Sequence, residues 1–172
     1  MHHLARRTVL LAMPAVALAG ASSAFAVDAL PDARFVGFAQ AVNEFDIASG
    51  QLALARSGNE NIRGYATRII AEATNSASML SKSRQEAGVS YAPDGAMGPK
   101  TANLLSQLNG LQGPAFDSAF ANAQLSVHMD AEAQIGAYSQ NGKSGPLRRY
   151  AQETFPTSKA QLEYARRIAG GR

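Results

Sequence analysis

Residues 116–138 contain an apolar stripe with helical spacing, and no proline interrupts it. Apolar side chains recur there at steps of three and four residues, which places them on one face of an α-helix. They are Phe116, Phe120, Ala123, Val127, Ala131, Ile135 and Tyr138. A helix with such a face needs several partner helices to cover it. The stretch therefore predicts a buried helix within a helical bundle.

Other segments of the chain have the same helical spacing, and residues that favour turns separate them. The predicted helices are residues 32–56, 60–87, 100–108, 113–140 and 146–168. No segment of useful length alternates between apolar and polar residues, as a half-buried strand would. We therefore predict an all-α fold, an up-down-up-down four-helix bundle with a short extra helix in the crossover.

Local signals support several of these helix ends. Asn59 is a good N-cap for the second helix, and Gly58 and Gly88 are typical of the positions where helices end. Asp32 is the candidate cap of the first helix. Pro156 lies inside the last helix, where it removes a backbone hydrogen bond. We therefore expect a kink there, or two helices that meet.

The first 26 residues have the pattern of a secretory signal peptide. A basic start precedes the apolar run 8–19, and Ala24-Phe25-Ala26 forms a small-x-small cleavage signal. The run is shorter than the roughly 20 residues that span a bilayer. Cleavage after Ala26 would leave a single helical-bundle domain, residues 27–172. Arg6-Arg7 also fit a twin-arginine leader, so both export routes stay open.

The leader and the composition limit which compartment and which kinds of binding site we expect. A secretory leader without a second spanning segment predicts a soluble periplasmic protein, membrane-associated only through a partner. The chain has no cysteine, which excludes disulfides and thiolate metal sites. Loss of Arg6 and Arg7 leaves 14 Lys and Arg against 13 Asp and Glu, so the mature net charge is +1. With basic residues scattered, nucleic-acid binding is not expected.

His128 is the single histidine outside the leader, and Glu132 follows it by one helical turn. This spacing places both side chains on one face, as a metal pair requires, but we favour a histidine at the bundle edge that is hydrogen-bonded to a neighbour. The first helix has two candidate carboxylates. We expect Asp46 to face the interior of the bundle and Glu44 to face solvent. His128 or Gln161 could partner a buried Asp46. No triad, phosphate loop or haem attachment motif is present, so we predict no catalysis and no cofactor.

Four segments together resemble one protein family. They are DIASGQLA at 46–53, NENIRGYA at 59–66, FDSAF at 116–120 with His128 eight residues further on, and the stretch 147–156 that ends in Phe155-Pro156. The first two are similar to the family patterns Glu-Ile-x-x-Gly-x-Leu-Ala and Asn-x-x-Val-Lys-x-Phe-Ala. The family comprises exported ferritin-like bundles of Gram-negative bacteria, catalogued as a domain of unknown function and often described as outer-membrane or periplasmic proteins.

The resemblance implies a ferritin-like bundle, but the ligand positions differ. The family typically has an Asp-His pair where this chain has Glu72-Ala73, a histidine at the position of Gln161, and a glutamate at the position of Asp46. Transition-metal sites need about four convergent ligands. We therefore expect that this chain has lost any metal site of the family. The metal-ligand candidates that remain are Asp46, Glu72, His128 and Glu132.

The sequence leaves three functions open. The first is a non-catalytic periplasmic bundle that acts through protein contacts, as an accessory or stabilising subunit of an envelope complex such as a membrane-bound dehydrogenase. The alternative is a ferritin-like metal-binding or stress-related protein. A carrier with an apolar cavity is the third. Residues 91–99, in the crossover, are the expected exposed recognition segment.

Overall fold

A computed structural model describes residues 27–170, and this part of the chain contains five α-helices and no strand. They are α1 (Asp32–Arg56), α2 (Glu60–Ala87), α3 (Met97–Asn109), α4 (Gly113–Asn141) and α5 (Gly145–Ala169). The prediction of an all-α fold with four long helices and one short helix is confirmed. The predicted signal peptide and its cleavage site lie outside the described residues.

Two helix ends follow the predicted local chemistry, and a third lies where it was predicted but has a different cap. The Asn59 side chain accepts hydrogen bonds from the backbone N–H groups of Asn61 and Ile62, at 2.9 and 3.4 Å. Gly88 ends α2 with a φ of 63°, the left-handed conformation that glycine adopts most easily. The first helix ends at Arg56 as predicted, but its C-cap is Ser57 in an extended conformation, and Gly58 does not adopt the positive φ of a C-terminal glycine. The ends at Asn59 and Gly88 depend on neighbouring residues only, which is why the sequence predicts them.

Three other local predictions need correction. Asp32 is not the cap of α1, because Pro31 occupies that position and the Asp32 carboxylate accepts hydrogen bonds from the Tyr138 hydroxyl and the Ser144 N–H. α3 begins at Met97 rather than at residue 100, because Asp94 accepts from the N–H groups of the first turn. α5 continues through Pro156 as one helix, so two separate helices do not form there.

The four long helices form a ring around one core. α1 packs against α2 and α4, and α5 packs against the same two helices from the other side. Aromatic side chains fill much of the interior: Phe35 stacks on Tyr138 with ring centroids 3.7 Å apart, and Tyr65 stacks on Tyr164 at 4.7 Å. Burial of these large side chains is the main source of the stability of such a bundle.

The helix directions differ from the predicted up-down-up-down order. The end of α4 meets the start of α1 through Tyr138 and Asp32, and Arg56 at the end of α1 donates to the Leu111 carbonyl just before α4. α4 is therefore antiparallel to α1, as α2 also is. Since α5 returns beside α4, the order is up-down-down-up. The physical reason is the crossover 88–112, whose helix α3 packs on α1 and α4 and carries the chain back along the bundle.

The crossover packs tightly on α1 at Gly37. A Cβ atom at this position would lie 1.9 Å from the Ala92 carbonyl oxygen and 2.8 Å from the Asp94 nitrogen. Arg34, one turn earlier, forms an ion pair with Asp94 at 3.3 Å.

Among the described residues, no helix is both long enough and apolar enough to cross a membrane.

Candidate functional site

A buried Asp–His pair joins α1 and α4 at the centre of the bundle. The Nε2 atom of His128 lies 3.3 Å from Asp46 Oδ1 and 3.0 Å from Gln124 Oε1. Asp46 is 1% exposed and His128 is 0% exposed. The sequence placed His128 at the bundle edge, and this is wrong because the side chain lies inside the ring of helices. The expected inward orientation of Asp46 is confirmed, and Glu44 is exposed.

Gln124 connects this pair to two other helices. Its Nε2 group donates to Ser49 Oγ at 2.8 Å, and its Oε1 atom accepts from the Tyr65 hydroxyl at 3.3 Å. The amide oxygen of Gln124 therefore faces His128, which requires a proton on His128 Nε2. His128 Nδ1 has no hydrogen-bond partner among residues 27–170. The network orients the imidazole and links α1, α2 and α4.

The Tyr65 hydroxyl remains a neutral donor in this network. Burial raises the pKa of Tyr65 well above its ordinary value, and the nearby negative charge of Asp46 raises it further. A protonated hydroxyl can donate to Gln124, whereas a phenolate would place a second negative charge near Asp46. Tyr65 thus contributes a hydrogen bond to the network as a neutral hydroxyl.

Beside the Asp–His pair lies a cavity of about 110 Å³. Residues of α1, α2 and α5 form most of its wall, and α4 contributes Ala131 and Ile135. Its polar lining comprises Asn43, Asp46, Glu72, Asn75, Ser76, Tyr150, Glu153, Thr154, Thr157, Ser158 and Gln161. Three buried atoms of this lining lack a hydrogen-bond partner among the described residues: Asn43 Nδ2, Asp46 Oδ1 and Ser158 Oγ. Asp46 Oδ1 lies within ion-pair distance of His128, but the two groups are not aligned as a hydrogen bond.

Glu72 reaches the cavity from α2, and two neighbours hold its carboxylate. Oε1 accepts from the Arg68 guanidinium at 2.8 Å, and Oε2 accepts from Gln161 Nε2 at 3.1 Å. The Glu72 carboxylate in turn raises the pKa of Arg68. Gln161 therefore partners Glu72, and the Asp46 partner is His128.

The structure does not bring the four metal-ligand candidates into one group. Asp46 and His128 are adjacent, whereas Glu72 is engaged by Arg68 and Gln161, and Glu132 does not line the cavity. Within the described part of the chain, no cluster of three or more His, Cys, Asp or Glu side chains is arranged to hold a metal ion. One imidazole beside one carboxylate falls short of the usual ligand number.

Sequence reasoning missed most polar residues of this site, among them four that are buried. Gln124 and Ser49 complete the Asp46–His128 network, and Asn43 and Ser158 line the cavity. A signal was present, because Gln124 precedes His128 by one turn and Asn43 precedes Asp46 by three residues. Polar pairs at such spacing inside an apolar stripe indicate a buried polar layer.

The fold and site define a class: an all-α bundle of four long helices with a buried Asp–His–Gln network and an adjacent polar cavity. The chain belongs to the family described as Domain of unknown function (DUF4142), whose profile matches residues 17–168. No curated protein and no solved structure gives a significant match.

Proposed function

We propose that this chain is a non-catalytic ferritin-like bundle of the periplasm that acts through protein contacts. Its role is that of a small accessory or stabilising subunit of an envelope complex, such as a membrane-bound dehydrogenase. The observation that carries the proposal is an open groove on the outside of the bundle, with apolar and charged lining residues.

The groove has a volume of about 290 Å³ and lies between the starts of α1 and α3 and the middle of α4. Its apolar lining includes Leu30, which is partly buried, and Phe38 and Met97, which form the buried floor. Val27, which is 44% exposed, lines it, and Met129, which is 53% exposed, lies on α4 one turn from the lining residue Ala133. Exposed apolar surface of this kind marks interaction sites, and methionine adapts well to a partner surface.

Charged pairs border the groove. Arg34 pairs with Asp94 at 3.3 Å, and Lys100 pairs with Asp130 at 2.7 Å. An apolar centre with a polar rim is the usual anatomy of a protein–protein interface. The rim carries two positive and two negative charges, so its charge balance favours a partner surface over an anionic ligand.

The interior supports a non-catalytic role. His128 is fully buried, and both Gln124 and Asp46 engage its Nε2 atom. A general base must come within hydrogen-bond reach of the proton that it removes from a substrate. The apolar side chains and helices around His128 leave this atom committed to internal contacts, which favours a role in packing the bundle.

Co-purification tests the proposal. The tagged chain, expressed at native level and extracted from membranes in mild detergent, is expected to elute with a larger envelope protein. Met129→Glu should reduce this recovery strongly, because it places a charge beside the groove. Ser78→Glu, at an exposed position of α2 away from the groove, should leave recovery unchanged. Elution of the unmodified chain as a lone monomer would contradict the proposal.

The proposed export has its own test. N-terminal sequencing of the protein from the periplasmic fraction is expected to begin at Val27. A chain that retains residues 1–26, or that fractionates with the cytoplasm, would overturn the periplasmic assignment.

A second candidate function is ferritin-like metal binding. Two observations favour it: the single long crossover is a feature shared with ferritin-like bundles, and Ala73 and Gln161 both line the cavity with Asp46 and Glu72. The family resemblance implies histidine at the positions of Ala73 and Gln161. Stoichiometric iron, zinc or manganese in protein purified without chelators, lost on His128→Ala, would favour this function over the first.

A further inference from the structure

Two Asn-Gly pairs in this chain have the chemical groups for a self-modification. They are Asn109-Gly110, where α3 ends, and Asn141-Gly142, where α4 ends. The backbone nitrogen of a glycine can attack the side-chain amide carbon of a preceding asparagine, because glycine has no side chain that hinders the approach. Both asparagine side chains are exposed. The two pairs are equivalent in sequence, and the fold distinguishes them.

The peptide bond between Asn141 and Gly142 is held from several directions. The Gly142 N–H donates to the Tyr138 carbonyl oxygen at 2.9 Å, and the Gly142 carbonyl oxygen accepts from the Arg148 guanidinium at 2.7 Å. Gly142 is buried, and a Cβ atom there would lie 2.4 Å from the Tyr138 ring. The nitrogen reaches the asparagine side chain only if the peptide plane rotates, because attack requires close contact and alignment. These contacts oppose that rotation.

The peptide bond between Asn109 and Gly110 has fewer restraints. Gly110 is exposed, and its N–H donates to the Gln107 carbonyl oxygen at 3.3 Å, a longer hydrogen bond than the one at Gly142. A Cβ atom built on Gly110 would contact only that carbonyl oxygen, at 3.7 Å. A helix end with few buried contacts opens locally at a low cost in free energy. The Gly110 nitrogen can therefore react while the bundle stays folded.

Arg56 places a positive charge beside the reacting atoms of Asn109. Its Nη2 group donates to Asn109 Oδ1 at 3.5 Å, and its Nη1 group donates to the Asn109 carbonyl oxygen. Negative charge develops on Oδ1 when the amide carbon is attacked, and a nearby cationic donor stabilises it. The hydrogen bond to the Asn109 carbonyl is exposed, so rotation of the peptide plane exchanges it for one with water at little cost. The guanidinium also favours the carboxylate that the reaction produces.

We propose that Asn109 is a site of spontaneous deamidation in the folded protein and that the fold protects Asn141. The Gly110 nitrogen loses its proton and attacks Asn109 Cγ, and the side-chain nitrogen leaves as ammonia. A water molecule then adds to one of the two carbonyl carbons of the cyclic imide. The ring C–N bond at that carbon breaks, and the Gly110 nitrogen regains a proton. The product is aspartate or isoaspartate, with one water consumed, one ammonia released and no change in oxidation state.

Incubation of the purified protein in mildly alkaline buffer, followed by mass spectrometry, tests the proposal. Cleavage after glutamate separates the two asparagines, because Glu132 lies between them, and fragment spectra assign the modified residue. Asn109 is expected to gain the mass of the amide-to-acid conversion about tenfold faster than Asn141, because its peptide bond opens more easily. In guanidinium chloride, which removes the fold, the two rates should become similar.

Gly110→Ala is the matched variant. The φ of Gly110 is −86° and a Cβ atom fits at this position, so circular dichroism should stay unchanged. The added methyl group hinders the attack of the nitrogen, and the mass gain at Asn109 should be lost. Four outcomes would overturn the proposal: equal rates at the two asparagines of the folded protein, a faster reaction at Asn141, no reaction at either residue, or a difference that persists in guanidinium chloride.

Discussion

At the residue scale, the Asp46–His128 pair dominates the interior of the bundle. Both side chains are buried, and each limits the cost of burying the other. Gln124 orients the imidazole, and Ser49 and Tyr65 orient Gln124 in turn. The network therefore gives α1, α2 and α4 a specific polar contact beside the apolar core. Removal of any member leaves a buried polar group without its partner.

We expect His128→Ala to destabilise the chain by about 3 kcal/mol, because it leaves the buried Asp46 carboxylate without its partner and opens a cavity. Urea unfolding of the chain 27–172, followed by circular dichroism, measures this free energy. Met129→Ala, at the next and exposed position, is the control and should change stability by less than about 0.5 kcal/mol. Equal effects of the two substitutions would show that the pair contributes nothing to stability.

Alkaline pH should destabilise the fold through its buried tyrosines. Burial raises the pKa of Tyr65 and of Tyr150 above the ordinary value of 10.0. Above that pH the unfolded chain loses these protons while the folded chain keeps them, so stability is complete below pH 10 and falls as pH rises. The slope is about 1.4 kcal/mol per pH unit for each tyrosine.

Urea unfolding at a series of alkaline pH values checks this prediction. Tyr150→Phe should reduce the slope by the contribution of one tyrosine, and Tyr91→Phe, at an exposed position, should not. A slope that is the same in both variants would contradict the assignment to buried tyrosines.

At the element scale, the crossover packs closely on α1 because Gly37 has no side chain. The Ala92 carbonyl oxygen occupies the space that a Cβ atom would need. This close approach holds the chain that precedes α3 against the bundle, and α3 then contacts both α1 and α4. Gly64, by contrast, lies on an exposed turn of α2, and a Cβ atom there would have no neighbour within 4 Å.

The two glycines should therefore respond in opposite directions to alanine. Gly37→Ala should destabilise the chain by about 2 kcal/mol because the crossover must move away from α1. Gly64→Ala should stabilise it by about 0.5–1 kcal/mol because alanine loses less conformational entropy in a helix. Thermal unfolding of both variants in parallel measures the difference. A tolerated alanine at position 37 would mean that the crossover does not pack on α1 in solution.

At the scale of the whole molecule, the ring of helices brings together positions that lie far apart in the chain. Asp46 of α1, Glu72 and Ala73 of α2, and Gln161 of α5 all line one cavity. The family resemblance noted from the sequence implies histidine at two of these positions, 73 and 161. The cavity thus lies where a ligand set would converge if those histidines were present.

We expect the double variant Ala73→His and Gln161→His to bind zinc, because two imidazoles would join the carboxylates of Asp46 and Glu72 at one cavity. Isothermal titration of the chain 27–172 with zinc chloride measures this affinity. Each single variant serves as a control and should bind much more weakly. Failure of a folded double variant to bind zinc would show that the cavity geometry does not support a tetrahedral site.

The sequence by itself determined the helices of this protein. The buried stripe of α4, the Asn59 cap and the Gly88 terminus depend on residues within a few positions of one another, and all three follow from helical spacing and capping chemistry. The inward orientation of Asp46 follows from the same spacing.

Only the tertiary structure decided how the helices run and what their polar residues contact. The direction of α4 depends on how the crossover packs, and the cap predicted at Asp32 is replaced by contacts with Tyr138 and Ser144 from the far end of the chain. His128 meets Asp46, Glu72 meets Gln161, and the cavity forms between them, through contacts between distant segments. Local spacing fixes which face of a helix a residue occupies, but the packing of the helices decides which residue it meets there.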